Sequence, residues 1–358
     1  MHNYSHTASV YPFAASGNGN ELPLAPFTRG VPCRGQPAEN CVRSHGIQAR
    51  LIAQVARLYH EGRLTQNEIA AKLGLSQGTV CRLLQKAVEH GVVRITVISP
   101  EGTFVDLEEV LERKFGLSHV VIGRAADDCE ECVRSALGAA AAHYLETTLK
   151  SREVIGVDSW SATLRSMVEQ MHLVWKVAEC QVVQVLGGVG NPGAEKHAYH
   201  LVTQLASLVQ GDAHFLPAPG VVDSKDAADV LGRDPHLRET MMLFERITVV
   251  LVGIGSVEPS LFASPGKLFS AEELRTVAAK GMVGNICLRF YDVRGKEIEN
   301  SWSARVFGLE SAQLKGIPRV VGIAGGKRKH QAILGALRGR WINVLITDQF
   351  SAEALVKA

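Results

Sequence analysis

The chain has 358 residues, 46% hydrophobic and 21% charged, with a formal net charge of +2; this length exceeds one small core and implies two or three domains. No run reaches the roughly 18 consecutive apolar residues of a membrane span, and no membrane partner is expected. Residues 1–44 are rich in Pro, Gly, Ser and Asn and lack the basic start and apolar run of a signal peptide. They are read as a disordered tail, and the protein as cytoplasmic. The seven cysteines are scattered and odd in number. Cys129 and Cys132 form a lone CxxC with no second pair or nearby His, so the expectation is free thiols in a reducing compartment, with no metal and no cofactor. Charge is uneven. Residues 45–100 carry seven Lys/Arg against three Asp/Glu, and residues 101–358 carry 28 against 31. A basic front on a slightly acidic body suits a polyanion held at one end.

Residues 47–60 place Ile47, Leu51, Ile52, Val55 and Leu58 at helical spacing. Gly62 ends that helix, and Thr65 with Glu68 forms a capping box for a second, which Gly74 closes. Ser76 is a natural N-cap for a third helix, with Val80, Leu83, Leu84, Ala87 and Val88 as its buried stripe. His90 and Gly91 finish it, and "VVRITVI" reads as a strand. Helix, glycine turn, helix is the helix-turn-helix pattern, whose second helix is dimensioned for the major groove of duplex DNA. Residues 45–100 therefore form the DNA-binding domain. Gln77, Gly78, Thr79 and Arg82, with the cap Ser76, face the bases; Gln66 and Lys86 hold the phosphate backbone. A helical hairpin packed on the rest of the chain is the structural alternative.

Residues 101–358 alternate unbroken apolar runs with helical patterns. The runs at 120–123, 153–157, 182–186, 247–255, 320–324 and 343–347 are short and Val/Ile-rich, as strands of a parallel sheet covered on both faces are. Helices are expected at 130–149, 194–209, 271–280 and 327–338. The fold class is α/β: an N-terminal helix-turn-helix followed by a parallel-sheet domain. Ligands of such sheets bind beyond the carboxyl ends of the strands. There "DSWSATL" offers Ser161 as a helix cap and possible anion site. "GGVGNPG" offers Gly187 and Gly188 for close backbone approach to a ligand. "GGKRKH" puts three cations at a helix start, where a bound anion would offset their clash with the helix dipole. Gly188, Gly190 and Gly193 also spell GxGxxG, but Pro192 interrupts it and no acidic residue ends the next strand, so NAD is not expected.

Residues 64–97, "LTQNEIAAKLGLSQGTVCRLLQKAVEHGVVRITV", resemble the DNA-binding end of the SorC family of bacterial sugar-responsive transcription regulators. In the same family order follow "GGVGNPG", "FLPAPGVV", "LVGIGSVEPS", "GMVGNICLRFYD", "VVGIAGGKRKHQAILGALRG" and "INVLITD", which resemble its effector-binding domain. The resemblance implies a fold akin to sugar-phosphate isomerases and CoA transferases, binding of operator DNA and of a phosphorylated sugar or polyol effector, and an even-numbered homo-oligomer, dimer or tetramer. It makes Ser159, Trp160, Ser161 and Thr163 part of a phosphate-binding loop, and Lys329 a ligand contact. Two positions depart from the family: Ser161 stands where Gly is common, and Asn285 where Asp is usual. Asn285 is either a reader of a sugar hydroxyl or a satisfied turn residue. Asp348 either lines the cleft or caps the last helix. The rival reading is a sugar-phosphate isomerase with an appended hairpin, for which the cleft loops supply the carboxylates Asp158, Glu258 and Asp348 but no carboxylate–His constellation.

Overall fold

The computed structural model describes residues 38–93, 103–188, 192–256, 271–300 and 302–358. The chain divides into two compact units, Met1–Val97 and Ile98–Ala358. In the first, α1 (Ala38–His60), α2 (Gln66–Leu73) and α3 (Gln77–Glu89) enclose a core of Ile52, Val55, Ala56, Ile69, Ala70, Val80, Leu83 and Ala87. The Thr65–Glu68 capping box is present in both directions, Gly74 closes α2 with a left-handed φ of 65°, and Ser76 caps α3 by accepting the Thr79 amide. Two expectations differ from the structure. The first helix reaches back to Ala38, into the stretch read as tail; that segment contains no proline, and Gly46 costs a helix only about 1 kcal/mol. Val88 is 49% exposed, because it lies about 90° round the helix from the centre of the stripe made by Val80, Leu83, Leu84 and Ala87. Most of the expected strand at 92–98 falls outside the described residues.

In the second unit, α4 (Val105–Phe115) leads into β1 (His119–Gly123) and α5 (Glu130–Thr148). Then come β2 (Val154–Val157), α6 (Ala162–Gln170), β3 (Cys180–Gln184), α7 (Pro192–Leu208), β4 (Gly211–His214), α8 (Lys225–Leu231) and α9 (Pro235–Met242). β5 (Val249–Gly253) is followed by β6 (Gly255–Ser256), α10 (Ala271–Ala279), β7 (Met282–Ile286) and β8 (Arg289–Asp292). The chain ends with α11 (Ser311–Gly316), β9 (Arg319–Ile323), α12 (His330–Arg338), β10 (Val344–Asp348) and α13 (Gln349–Lys357). Seven strands form a parallel sheet in the order β1-β10-β9-β5-β2-β3-β4; β6, β7 and β8 form a small antiparallel sheet.

Alternate residues of the parallel strands enter different cores. Val250, Val252 and Leu345 face the layer with Leu111, Ile333 and Leu355; Val249, Leu251, Val344 and Ile346 face the layer of Leu145, Met167 and Leu205. Helices thus cover both faces, which is why these strands read as unbroken apolar runs. From β2 the chain winds outward through β3 to β4, then returns to place β5 on the other side of β2 and winds through β9 to β10. The winding direction reverses between β2 and β5, and the carboxyl ends of those strands open the crevice where ligands of such sheets bind.

Candidate functional site

The first unit presents the opening turn of α3. Gln77, Gly78 and Arg82 are exposed, Thr79 and Lys86 half-buried, and Gln66 half-buried at the start of α2. The Ser76 and Thr79 hydroxyls bond each other at 2.8 Å, so both are engaged in the cap. Arg82 Nε donates to Gly78 O at 3.3 Å, along its own helix. A Cβ on Gly78 would meet nothing within 4 Å. The glycine is therefore not required by packing within the chain.

In the second unit, the crevice is built from three strand ends. Beyond β2, Asp158 is 7% exposed and its amide donates to Leu251 O of β5 at 3.0 Å. Burial pushes the Asp158 carboxyl up to about 6, against the amides of Trp160 and Gly253 and the charge of Lys329, which favour the carboxylate. The neighbouring Ser159 hydroxyl is buried without a hydrogen-bond partner. Ser161 caps α6, accepting the Leu164 amide at 3.3 Å, and Thr163 is buried in its first turn. Beyond β5, a Cβ on Gly253 would lie 2.6 Å from Ser161 Oγ, so the serine crowds its own neighbouring strand. Beyond β9, Gly326 takes a φ of 89°, a conformation that favours glycine. Its amide donates to Asp348 Oδ2 and Ser351 Oγ, both at 2.9 Å. Asp348 also accepts the Ser351 amide as the cap of α13; it does not line the cleft but anchors the loop that carries Lys329. Burial draws the Lys329 pKa down, Glu130 and Asp158 pull it up, and Arg328 lowers it further. Asp158 and Lys329 are thus a carboxylate and an ammonium, each pushed by burial towards its neutral form.

Asn285 pairs in register with Gly255 of β6, and a side chain on Gly255 would collide with its amide. The turn from β7 to β8 runs through Cys287 and Leu288 with φ of 49° and 60°. Such values normally belong to Asn-Gly, and their strain is held next to the crevice. Cys287 is buried, and burial with the nearby Asp158 charge raises its thiol well above the ordinary range. Neither Cys287 nor Gly253 was singled out from sequence; the Gly-x-Gly of 253–255 at a strand end was the available signal.

Three expected residues are tied into the scaffold. Trp160 Nε1 donates to Gly187 O at 3.0 Å. A Cβ on Gly187 would lie 2.5 Å from Ala218 O, Gly188 N donates to Ala218 O at 2.7 Å, and Gly220 N donates to Gly188 O at 2.6 Å. The close approach that these glycines permit is to residues 218–220 of their own chain. Gly190 of the GxGxxG, and Glu258, lie outside the described residues. Among the described residues no group of three or more His, Cys, Asp or Glu could hold a metal ion, and no helix is long and apolar enough to cross a membrane. Cys129 and Cys132, expected as free thiols, are placed as a disulfide in the first turn of α5, with their Cα atoms 5.3 Å apart, a separation that permits the bond.

The sequence profile of a sugar-binding domain family matches residues 100–357, and that of the MarR family residues 45–102. The sorbitol operon regulator of Klebsiella pneumoniae is 32% identical over 309 residues, covering 86% of this chain and 98% of that protein. The deoxyribonucleoside regulator of Bacillus subtilis is 32% identical over 309 residues, covering 86% and 97%. The transcriptional regulator LsrR of Escherichia coli K12 is 30% identical over 311 residues, covering 86% and 94%. The crystal structure of the full-length Klebsiella regulator SorC aligns with a TM-score of 0.65 at 30% identity, over 86% of this chain and 98% of that one. These relatives are regulators of transcription, which sets aside the isomerase reading: the protein is not an enzyme. The chain belongs to the SorC family of sugar-responsive transcriptional regulators, with a helix-turn-helix unit ahead of a sugar-binding domain.

Proposed function

We propose that the effector is a phosphorylated sugar or small polyol, bound beyond the carboxyl ends of β2, β5 and β9, and that it governs binding of operator DNA by α3. The observation that carries this reading is the buried Asp158 with Lys329 acting on it, set at the reversal of the sheet beside the unpartnered Ser159 hydroxyl. A buried carboxylate accepts sugar hydroxyls. The Lys329 ammonium and the amides opening α6 above Ser159, Ser161 and Thr163 suit the phosphate. Asn285, which can both accept and donate, lies at the rim by Gly255. Trp160, Gly187 and Gly188 shape the wall from behind. At the head, Arg82 and Gln77 read base edges, with Gly78 and Thr79 in close approach, while Gln66 and Lys86 hold phosphates and Ser76 sets the helix start. The protein acts in the cytoplasm as an even-numbered homo-oligomer, and the effector works by favouring one arrangement of the DNA-binding heads over another.

A thermal-shift screen of sugar phosphates and free polyols tests the pocket, since a ligand of the native state raises the melting temperature by mass action. A hit that Lys329→Ala abolishes supports the assignment; a hit of unchanged size in that variant removes Lys329 from the site. A mobility-shift assay with the DNA upstream of its own gene tests the head, and absence of a specific band would overturn the operator reading.

A further inference from the structure

The residues that open α5 are Asp127-Asp128-Cys129-Glu130-Glu131-Cys132. Cys129 is the N-cap, and its sulfur accepts the Cys132 amide at 3.1 Å. Both cysteines are half-exposed, as is the solitary Cys81, whereas Cys180 and Cys287 are buried. Cys129 Sγ thus sits at the N-terminus of α5, flanked by Asp127, Asp128, Glu130 and Glu131. This turn also bears on the loop that carries Lys329. Glu130 pairs with Arg328 and is among the charges that act on Lys329. A Cβ on Gly325 would lie 3.3 Å from Leu137 of α5, and one on Gly326 would lie 3.9 Å from Val133. Glu130 lies inside the ring that a Cys129–Cys132 bond closes, so closure fixes the backbone that aims its carboxylate at Arg328.

We propose that Cys129 and Cys132 form a reversible dithiol–disulfide site, oxidised by a low-molecular-weight disulfide such as glutathione disulfide, and that its state sets the loop bearing Lys329. The Cys129 thiolate attacks one sulfur of the small disulfide and displaces a thiolate. The Cys132 thiolate then attacks Cys129 of the mixed disulfide and displaces the second. The two protons lost by the protein pass to the two departing thiolates, and two electrons pass from the protein dithiol to the small disulfide. The consequence for the effector rests on the pocket reading above; the closure itself does not.

Two measurements on the full chain test this. In glutathione buffers of rising oxidised fraction, quenched by alkylation and read by peptide mass spectrometry, the peptide with Cys129 and Cys132 loses two hydrogens, reversibly with dithiothreitol, while Cys180 and Cys287 remain thiols. Thiols that persist at Cys129 and Cys132 in excess glutathione disulfide, or a stable glutathione adduct on either, overturn the site. In hydrogen exchange of the reduced and oxidised forms, amides at 325–331 exchange at least about threefold faster in the reduced form. That difference vanishes in the Cys129→Ser/Cys132→Ser double variant, where serine preserves the cap, and shrinks in Glu130→Gln. Equal exchange in the two redox states rejects the coupling. Neither measurement contains effector or DNA, so its failure is distinct from a failure of the pocket assignment.

Discussion

Asp158 is held in the fold at a cost that pH reveals. The folded protein keeps its proton up to about pH 6, whereas an unfolded chain releases it near 3.8. Between those values the native state binds more protons, so this group's contribution to stability is full at the acid end and is lost as pH rises through about 6, by about 3 kcal/mol. Asp158→Asn removes the dependence. Its stability advantage over the parent, read from denaturant unfolding at a series of pH values, grows from pH 4 to pH 7; a constant difference would mean that Asp158 ionises normally in the fold. At the DNA-binding head the predicted effects fall on binding instead. Arg82 is exposed and tied to its own helix, so Arg82→Ala changes stability by less than about 0.5 kcal/mol. It weakens operator binding by about 1–3 kcal/mol and relaxes discrimination at one base pair. Gly78→Ala has room for its methyl group and stabilises α3 by up to about 1 kcal/mol. If the backbone of Gly78 approaches DNA, that same variant loses operator affinity; unchanged affinity assigns the glycine to a frayed first turn.

At the scale of elements, the joint between β5 and α6 decides whether Ser161 is a ligand or a strut. A Cβ on Gly253 would meet Ser161 Oγ at 2.6 Å and its Cβ at 2.9 Å. Gly253→Ala therefore destabilises by about 1–3 kcal/mol through overpacking. Ser161→Gly relieves the clash and loses only a few tenths of a kcal/mol as a cap. The double variant recovers most of the loss, and additive losses in the cycle would refute the contact. The same comparison marks what sequence reveals. Capping at Thr65, Glu68, Gly74 and Ser76 was legible because it is decided within four residues. The central strands were legible because burial on both faces leaves an apolar run. β4, Gly211–His214, was not read as a strand because an edge strand of half-buried and exposed residues carries no such run. The electrostatic influence of Lys329 on Asp158, the anchoring of Gly326 by Asp348, and the approach of Gly187 to Ala218 join residues 22 to 171 positions apart. They follow from strand order, which local patterns do not encode. Gly187 and Gly188 are expected from sequence to approach a ligand, whereas the backbone that approaches them in the fold is that of residues 218–220.

For the whole molecule, the charge division gives a measurable count of heads on DNA. The first unit carries its excess of cations on a few residues, and Lys72 and Lys86 lie on the two helices of the DNA-binding motif. If about three cations per head neutralise phosphates, the logarithm of the binding constant falls with the logarithm of salt at a slope of about −3 for one head and about −6 for two. Lys86→Ala then makes the slope shallower by about 1 per head, so about 2 for a paired complex, and weakens all sequences alike. Arg82→Ala leaves the slope unchanged if Arg82 reads a base edge. A parent slope near −6 that drops by about 2 in Lys86→Ala establishes that two heads engage one site. A slope near −3 that drops by about 1 leaves a single head bound, and effector control through the relative placement of heads would then lose its physical basis.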